Sequence, residues 1–101
     1  MELQINEAAF SDLKEIKLYF KDCFAEAAFD KLESKIYEEF DKLSLFPEMG
    51  ATLKKLKSFK HYRFVLVGAY YIFFVPDKNT VRIQRIIHTA RDLKKVLKIF
   101  C

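Results

Sequence analysis

The chain has 101 residues, of which 51% are hydrophobic and 32% charged, with two glycines and two prolines. Domains usually run to ~100–150 residues, so residues 1–101 are expected to form a single domain. Such a domain needs no disulfide or metal staple, and its apolar content excludes a disordered chain. The net charge of +4 conceals a division. Residues 1–50 hold 6 Lys/Arg and 12 Asp/Glu, whereas residues 51–101 hold 12 and 2. A half with net +10 beside one with net −6 points to an acidic or polyanionic partner. The plainer reading is that Lys and Arg solvate a small sheet and its terminal helix.

No apolar run approaches the ~18 residues of a membrane span. The start does not read as a signal peptide. The expected location is cytoplasmic, without a membrane partner. Cys23 is expected on the apolar side of a helix as a buried thiol, and Cys101 at the mobile end of the chain; a disulfide between them has no support.

Leu3 and Ile5 alternate with polar neighbours as a short strand. Phe10, Leu13, Ile16, Phe20 and Phe24 then follow at three- and four-residue steps, one face of a helix that Asn6 or Ser11 would cap. Phe29, Leu32, Ile36, Phe40 and Leu43 repeat the pattern. No Gly or Pro divides the two stripes, so one long helix satisfies the spacing. A lone rod would expose both stripes, and a break is placed near Asp22–Glu26. Pro47 and Gly50 end the second helix, and residues 51–60 form a connector carrying Lys54, Lys55, Lys57 and Lys60.

Strands are expected over 62–67 and 70–76, with Gly68 and Ala69 as a tight turn. A second turn at 77–79 leads to a third strand over 81–87. There Arg82 and Gln84 alternate with Val81 and Ile83 and are expected to face away from the helices or towards a partner. Arg85 and Ile86 break the alternation, which marks a bulge or an irregular strand end. Asp92 heads a short helix. The sum is an α+β fold: an N-terminal strand, a helical hairpin, a three-stranded antiparallel meander and a short C-terminal helix. Most of Tyr70, Tyr71, Phe73 and Phe74 reads as core packing rather than a stacking surface, because consecutive strand residues face opposite ways.

Three runs in this order, FPEMG at 46–50, YRFVLVGAYYIFFV at 62–75 and RIIHTARD at 85–92, resemble the RelE/ParE superfamily of bacterial toxins. The resemblance covers nearly the whole chain and implies the toxin of a type II toxin–antitoxin pair. Its implied partner is a cognate antitoxin whose extended, partly helical tail wraps the toxin in the apolar groove between helices and sheet. RelE-like members cut messenger RNA on the ribosome, and ParE-like members poison DNA gyrase.

Cutting RNA through its 2′-hydroxyl requires an acid, a base and cations to hold the phosphorane charge. RelE-like toxins carry Lys or Arg within the first hairpin strand and an Arg early in the second. This chain keeps Arg63 but continues with Phe64, Val65 and Leu66, and Tyr71 stands where the second Arg is expected. The hairpin and the RIIHTARD ending look more like the ParE branch, with DNA gyrase as the implied target and ribosome and mRNA as the alternative. A third reading is an inactive relative that only binds antitoxin.

The nuclease candidates are His88, Arg63, Arg85 and Arg91, with His61 and Arg82 as further charged positions. Imidazole titrates near pH ~6.5 and serves as acid or base, which singles out His88; its structural alternative is a histidine that ends a strand and bonds to backbone. The target-binding candidates are Arg63, Arg82, Arg85, Arg91, Lys94 and Lys95, the last two on the basic stripe of the final helix. Two histidines and two cysteines at unrelated spacings indicate no metal site. No cofactor is implied.

Overall fold

A computed structural model describes residues 2–52 and 61–92. Strand β1 (Glu2–Ile5) leads directly into helix α1 (Glu7–Asp22), followed by helix α2 (Glu26–Leu45). The chain then passes through β2 (Ala51–Thr52), β3 (Arg63–Val67), β4 (Tyr70–Pro76) and β5 (Thr80–His88). The expected final helix, with Lys94, Lys95 and Cys101, and the connector lysines lie outside the described residues.

Among the described residues the sheet has five strands in the order β1-β5-β4-β3-β2, one more than the sequence suggests. The extra member, β2, comprises only two residues of the supposed connector, too few to leave a periodic signal. β2 to β5 form antiparallel pairs, and β1 lies parallel to β5, Glu2 opposite Thr80 and Ile5 opposite Ile83.

Asn6, not Ser11, caps α1. Its Oδ1 accepts from the Ala8 N–H at 3.4 Å, and its Nδ2 donates to Gln84 Oε1 at 2.7 Å. The break between the helices falls where expected, but its chemistry is unusual. Phe24 adopts φ 55°, the left-handed conformation that glycine normally supplies. The Ala25 N–H then reaches back to the Phe20 carbonyl at 2.8 Å and the Phe24 N–H to that of Lys21 at 3.0 Å. This is a Schellman ending built without glycine. Phe24 is 97% exposed, so it and the half-exposed Phe10 leave the expected apolar stripe. Cys23, one residue earlier in the cap, is exposed rather than buried.

One sheet face carries Val67, Tyr70, Ile72, Phe74, Val81 and Ile83 against the helices. Ala9, Leu13 and Ile16 of α1 and Ile36, Phe40 and Leu43 of α2 close the core from above. Burying each large side chain contributes about 1.5–3 kcal/mol. On the other face Phe64, Tyr71 and Phe73 pack ring to ring at 5.2–6.0 Å. Both positions where a RelE-like cation is missing are thus packed: Tyr71 within this cluster, Val65 against the main core.

The bulge falls on β5 at Gln84. Phe73 lies opposite Arg85 and Phe74 opposite Ile83, leaving Gln84 as the extra residue. Gln84 is consequently buried against Asn6 and does not face outwards. Arg82 stays exposed on the face away from the helices, as the alternation requires.

Candidate functional site

The bulge positions the residues that matter. β1 ends at Ile5, so among the described residues no strand flanks β5 on that side beyond Ile83. Asp12, on the buried side of α1, fills the first position of the gap. Its carboxylate accepts from Arg85 Nε at 2.6 Å and Nη2 at 2.8 Å, and from the Ile86 backbone N–H at 2.9 Å. The side chains of Asp12 and Arg85 are 7% and 13% exposed, so this is a nearly buried bidentate pair. Removing one partner of such a pair costs about 3–5 kcal/mol.

Beyond this pair a groove of about 570 Å³ opens between α1 and the end of β5. Ile16 and Phe20 of α1, with Tyr70 and Ile86 of the sheet, form its apolar lining, and Glu15, Tyr19, His88 and Arg91 stand around them. The Tyr70 ring meets the His88 ring edge to face at 5.2 Å. Burial raises the Tyr70 hydroxyl above its ordinary pKa, and the charge of Tyr19 adds to the rise. His88 Nδ1 accepts from the Ala90 N–H at 3.0 Å. The proton of the neutral ring therefore resides on Nε2, which acts as a donor.

The charged candidates among the described residues do not converge. His88 and Arg91 line the groove, and Arg85 joins them only through Asp12. Arg63 lies at the other end of the sheet, bound to the Glu48 carbonyl at 3.0 Å and carboxylate at 3.1 Å. It stands opposite Phe74, four residues along β4 from the partner of His88. With ~3.3 Å per residue and ~4.8 Å per strand, Arg63 and His88 are about 16 Å apart. Arg82 lines a separate hollow with Gln4, Ile5 and Asn6. Lys94 and Lys95 lie outside the described residues. Among the described residues no cluster of His, Cys, Asp and Glu is arranged to hold a metal ion.

Asp12, Glu15 and Tyr19 were not among the sequence candidates. Asp12 had a legible signal: it sits three residues after Ala9 and four before Ile16, a carboxylate on an otherwise apolar helix face.

A family model described as the ParE toxin of the type II toxin–antitoxin system parDE matches residues 3–93. Among solved structures, one described as a chromosomal ParDE toxin–antitoxin system from P. aeruginosa superposes with a TM-score of 0.73 at 16% identity. The match covers 87% of this chain and 95% of that one. No curated protein matches the sequence.

Proposed function

We propose that this chain, a member of the ParE toxin family of type II toxin–antitoxin systems, stops growth in the cytoplasm by binding DNA gyrase until a cognate antitoxin neutralises it. Family membership supplies the premise. The observation that carries the choice of target is the dispersal of the cations. A nuclease brings acid, base and charge stabiliser within hydrogen-bond reach of one phosphate. Here Arg63 is held by Glu48, Arg85 by Asp12, and the Nδ1 of His88 by the Ala90 N–H. Cations spread over both faces and both ends of a sheet suit contact with a large partner better than chemistry at one bond. Arg82 and Arg91, both exposed, are the described positions best placed to meet the target. The groove between α1 and the sheet is the seat for the antitoxin. The acidic or amphipathic tail that such a role favours complements the basic half of the chain.

Expression of the toxin with DNA supercoiling followed beside primer extension on a chosen transcript tests this reading. Loss of supercoiling with intact message is expected. Codon-phased cuts with normal gyrase would replace it with the ribosomal alternative, and harmless overexpression would favour an inactive antitoxin-binding relative. His88→Ala is expected to keep its toxicity; a loss would return His88 to the catalytic list.

A further inference from the structure

Among the described residues, Phe24 at the apex of the helical hairpin is the one non-glycine residue with positive φ. It takes on a left-handed strain that glycine would avoid and asparagine would tolerate. Burial does not offset that strain. The side chain is 97% exposed, against 72% for Leu45, the next most exposed large hydrophobic. The helix ending itself uses only backbone groups, the Phe24 N–H on the Lys21 carbonyl and the Ala25 N–H on that of Phe20. Phenylalanine thus suits neither the turn nor the water around it. A strained outlier without structural return marks a position whose use lies outside the fold. Its neighbours in sequence, Cys23 and Ala25, are small, so the ring stands clear of the apex as a convex apolar knob.

A knob needs a concave receptor, and preformed apolar pockets belong to folded surfaces. A tail that orders only on binding brings side chains to a groove and offers no such pocket in return. Phe24 also stands apart from the groove between α1 and the sheet, which Tyr19 and Phe20 line and Phe24 does not. It follows Phe20 by four residues, about 6 Å of helix. That places it at the end of the molecule where the exposed Arg91 also stands, across the groove from Tyr19. An interface of about 800 Å² per partner is wide enough to include both. We propose that Phe24 anchors this chain on its target, its ring inserted into an apolar pocket on the surface of DNA gyrase, with Arg91 at the rim. A few buried aromatic anchors supply most of the binding energy of an interface, and rim charges mainly steer encounter. The inference rests on the gyrase reading above and deepens it by naming the anchor and the chemistry of its receptor.

The test uses the full chain, purified gyrase, duplex DNA and the cognate antitoxin. Phe24→Asn suits the left-handed position, so the variant is expected to fold and to melt higher than the parent. Its affinity for gyrase is nevertheless expected to fall at least about tenfold, with a matching loss of supercoiling inhibition. Its affinity for the antitoxin is expected to stay within about twofold of the parent, as for an ordinary surface substitution. Phe24→Leu, which keeps an apolar side chain, should bind gyrase with intermediate affinity. Gyrase binding by Phe24→Asn equal to that of the parent overturns the anchor and leaves the gyrase reading standing. Equal losses towards gyrase and antitoxin also overturn it, since the knob then serves the antitoxin. The same loss on duplex DNA without gyrase makes the ring a wedge between base pairs and overturns the protein pocket. A parent chain that does not bind gyrase removes the gyrase reading together with the inference.

Discussion

Replacing Asp12 by Ala removes the acceptor of three hydrogen bonds at once, two from the Arg85 guanidinium and one from the Ile86 N–H. Truncating one member of a buried pair costs about 3–5 kcal/mol, because the remaining charge stays desolvated. The orphaned Ile86 N–H adds about 1–3 kcal/mol. Two features reduce the total: Arg85 keeps a further interaction, and Asp12 and Ile86 line an open groove. A destabilisation of about 3 kcal/mol is therefore expected, against the ~5–15 kcal/mol of a typical domain. With a urea m-value of about 1.5 kcal/mol/M, the midpoint falls by about 2 M. Urea unfolding followed by far-UV circular dichroism reads this directly, and an unchanged m-value confirms that stability alone has moved. Arg85→Met completes a double-mutant cycle. The Asp12→Ala, Arg85→Met double variant is expected to be more stable than Asp12→Ala alone, since no buried charge is left unpaired. An Asp12→Ala midpoint within ~0.3 M of the parent would refute the account of how the end of β5 is held.

Gly50→Ala is expected to be the costlier of two glycine substitutions. Gly50 has φ +89°, and a Cβ there would lie 2.6 Å from the Phe64 carbonyl oxygen, so about 2–3 kcal/mol should be lost. At Gly68, with φ +57° and the nearest atom Leu32 Cδ1 at 3.9 Å, only backbone strain of about 1 kcal/mol is expected; thermal unfolding ranks the pair. Phe24→Asn should raise the melting temperature by a few degrees, because asparagine tolerates the left-handed conformation and no buried area is lost; a lower melting temperature would contradict this. The Tyr70 hydroxyl is held above its ordinary 10.0 in the folded chain, so ionisation favours unfolding. Stability is then complete below pH 10 and declines as the pH rises past it, and Tyr70→Phe should flatten that decline in a pH series of unfolding curves.

The helical stripes, the hairpin at Gly68 and the bulge were legible because each leaves a local mark: a period of three to four, a glycine, a broken alternation. Less visible was anything set by contact between distant residues. Phe24 ends a helix with the backbone of a glycine, so composition hid the mechanism although the helical break itself could be placed. Cys23 has the spacing of a buried residue but lies in the cap of that ending. Gln84 looks outward by alternation and is turned inward by the bulge it forms. Arg85 resembles a free cation in the sequence because its partner is encoded 73 positions earlier. The candidate site was legible at its β5 end, through His88 and Arg91, and only in part on α1, where Ile16 and Phe20 read as core stripe and Glu15 and Tyr19 resemble an ordinary solvated helix face.

The first strand of this sheet pairs with the last. Asn6 and Gln84, whose side chains bond across that junction, are 78 positions apart. At synthesis rates of ~5–20 residues per second, the N-terminal strand and the acidic helices wait about 4–16 s for their counterpart to emerge. Throughout that interval the apolar stripes of the hairpin have no sheet to cover. Activity that depends on the finished sheet therefore appears late in the making of each molecule, and a partner already present has time to arrive first.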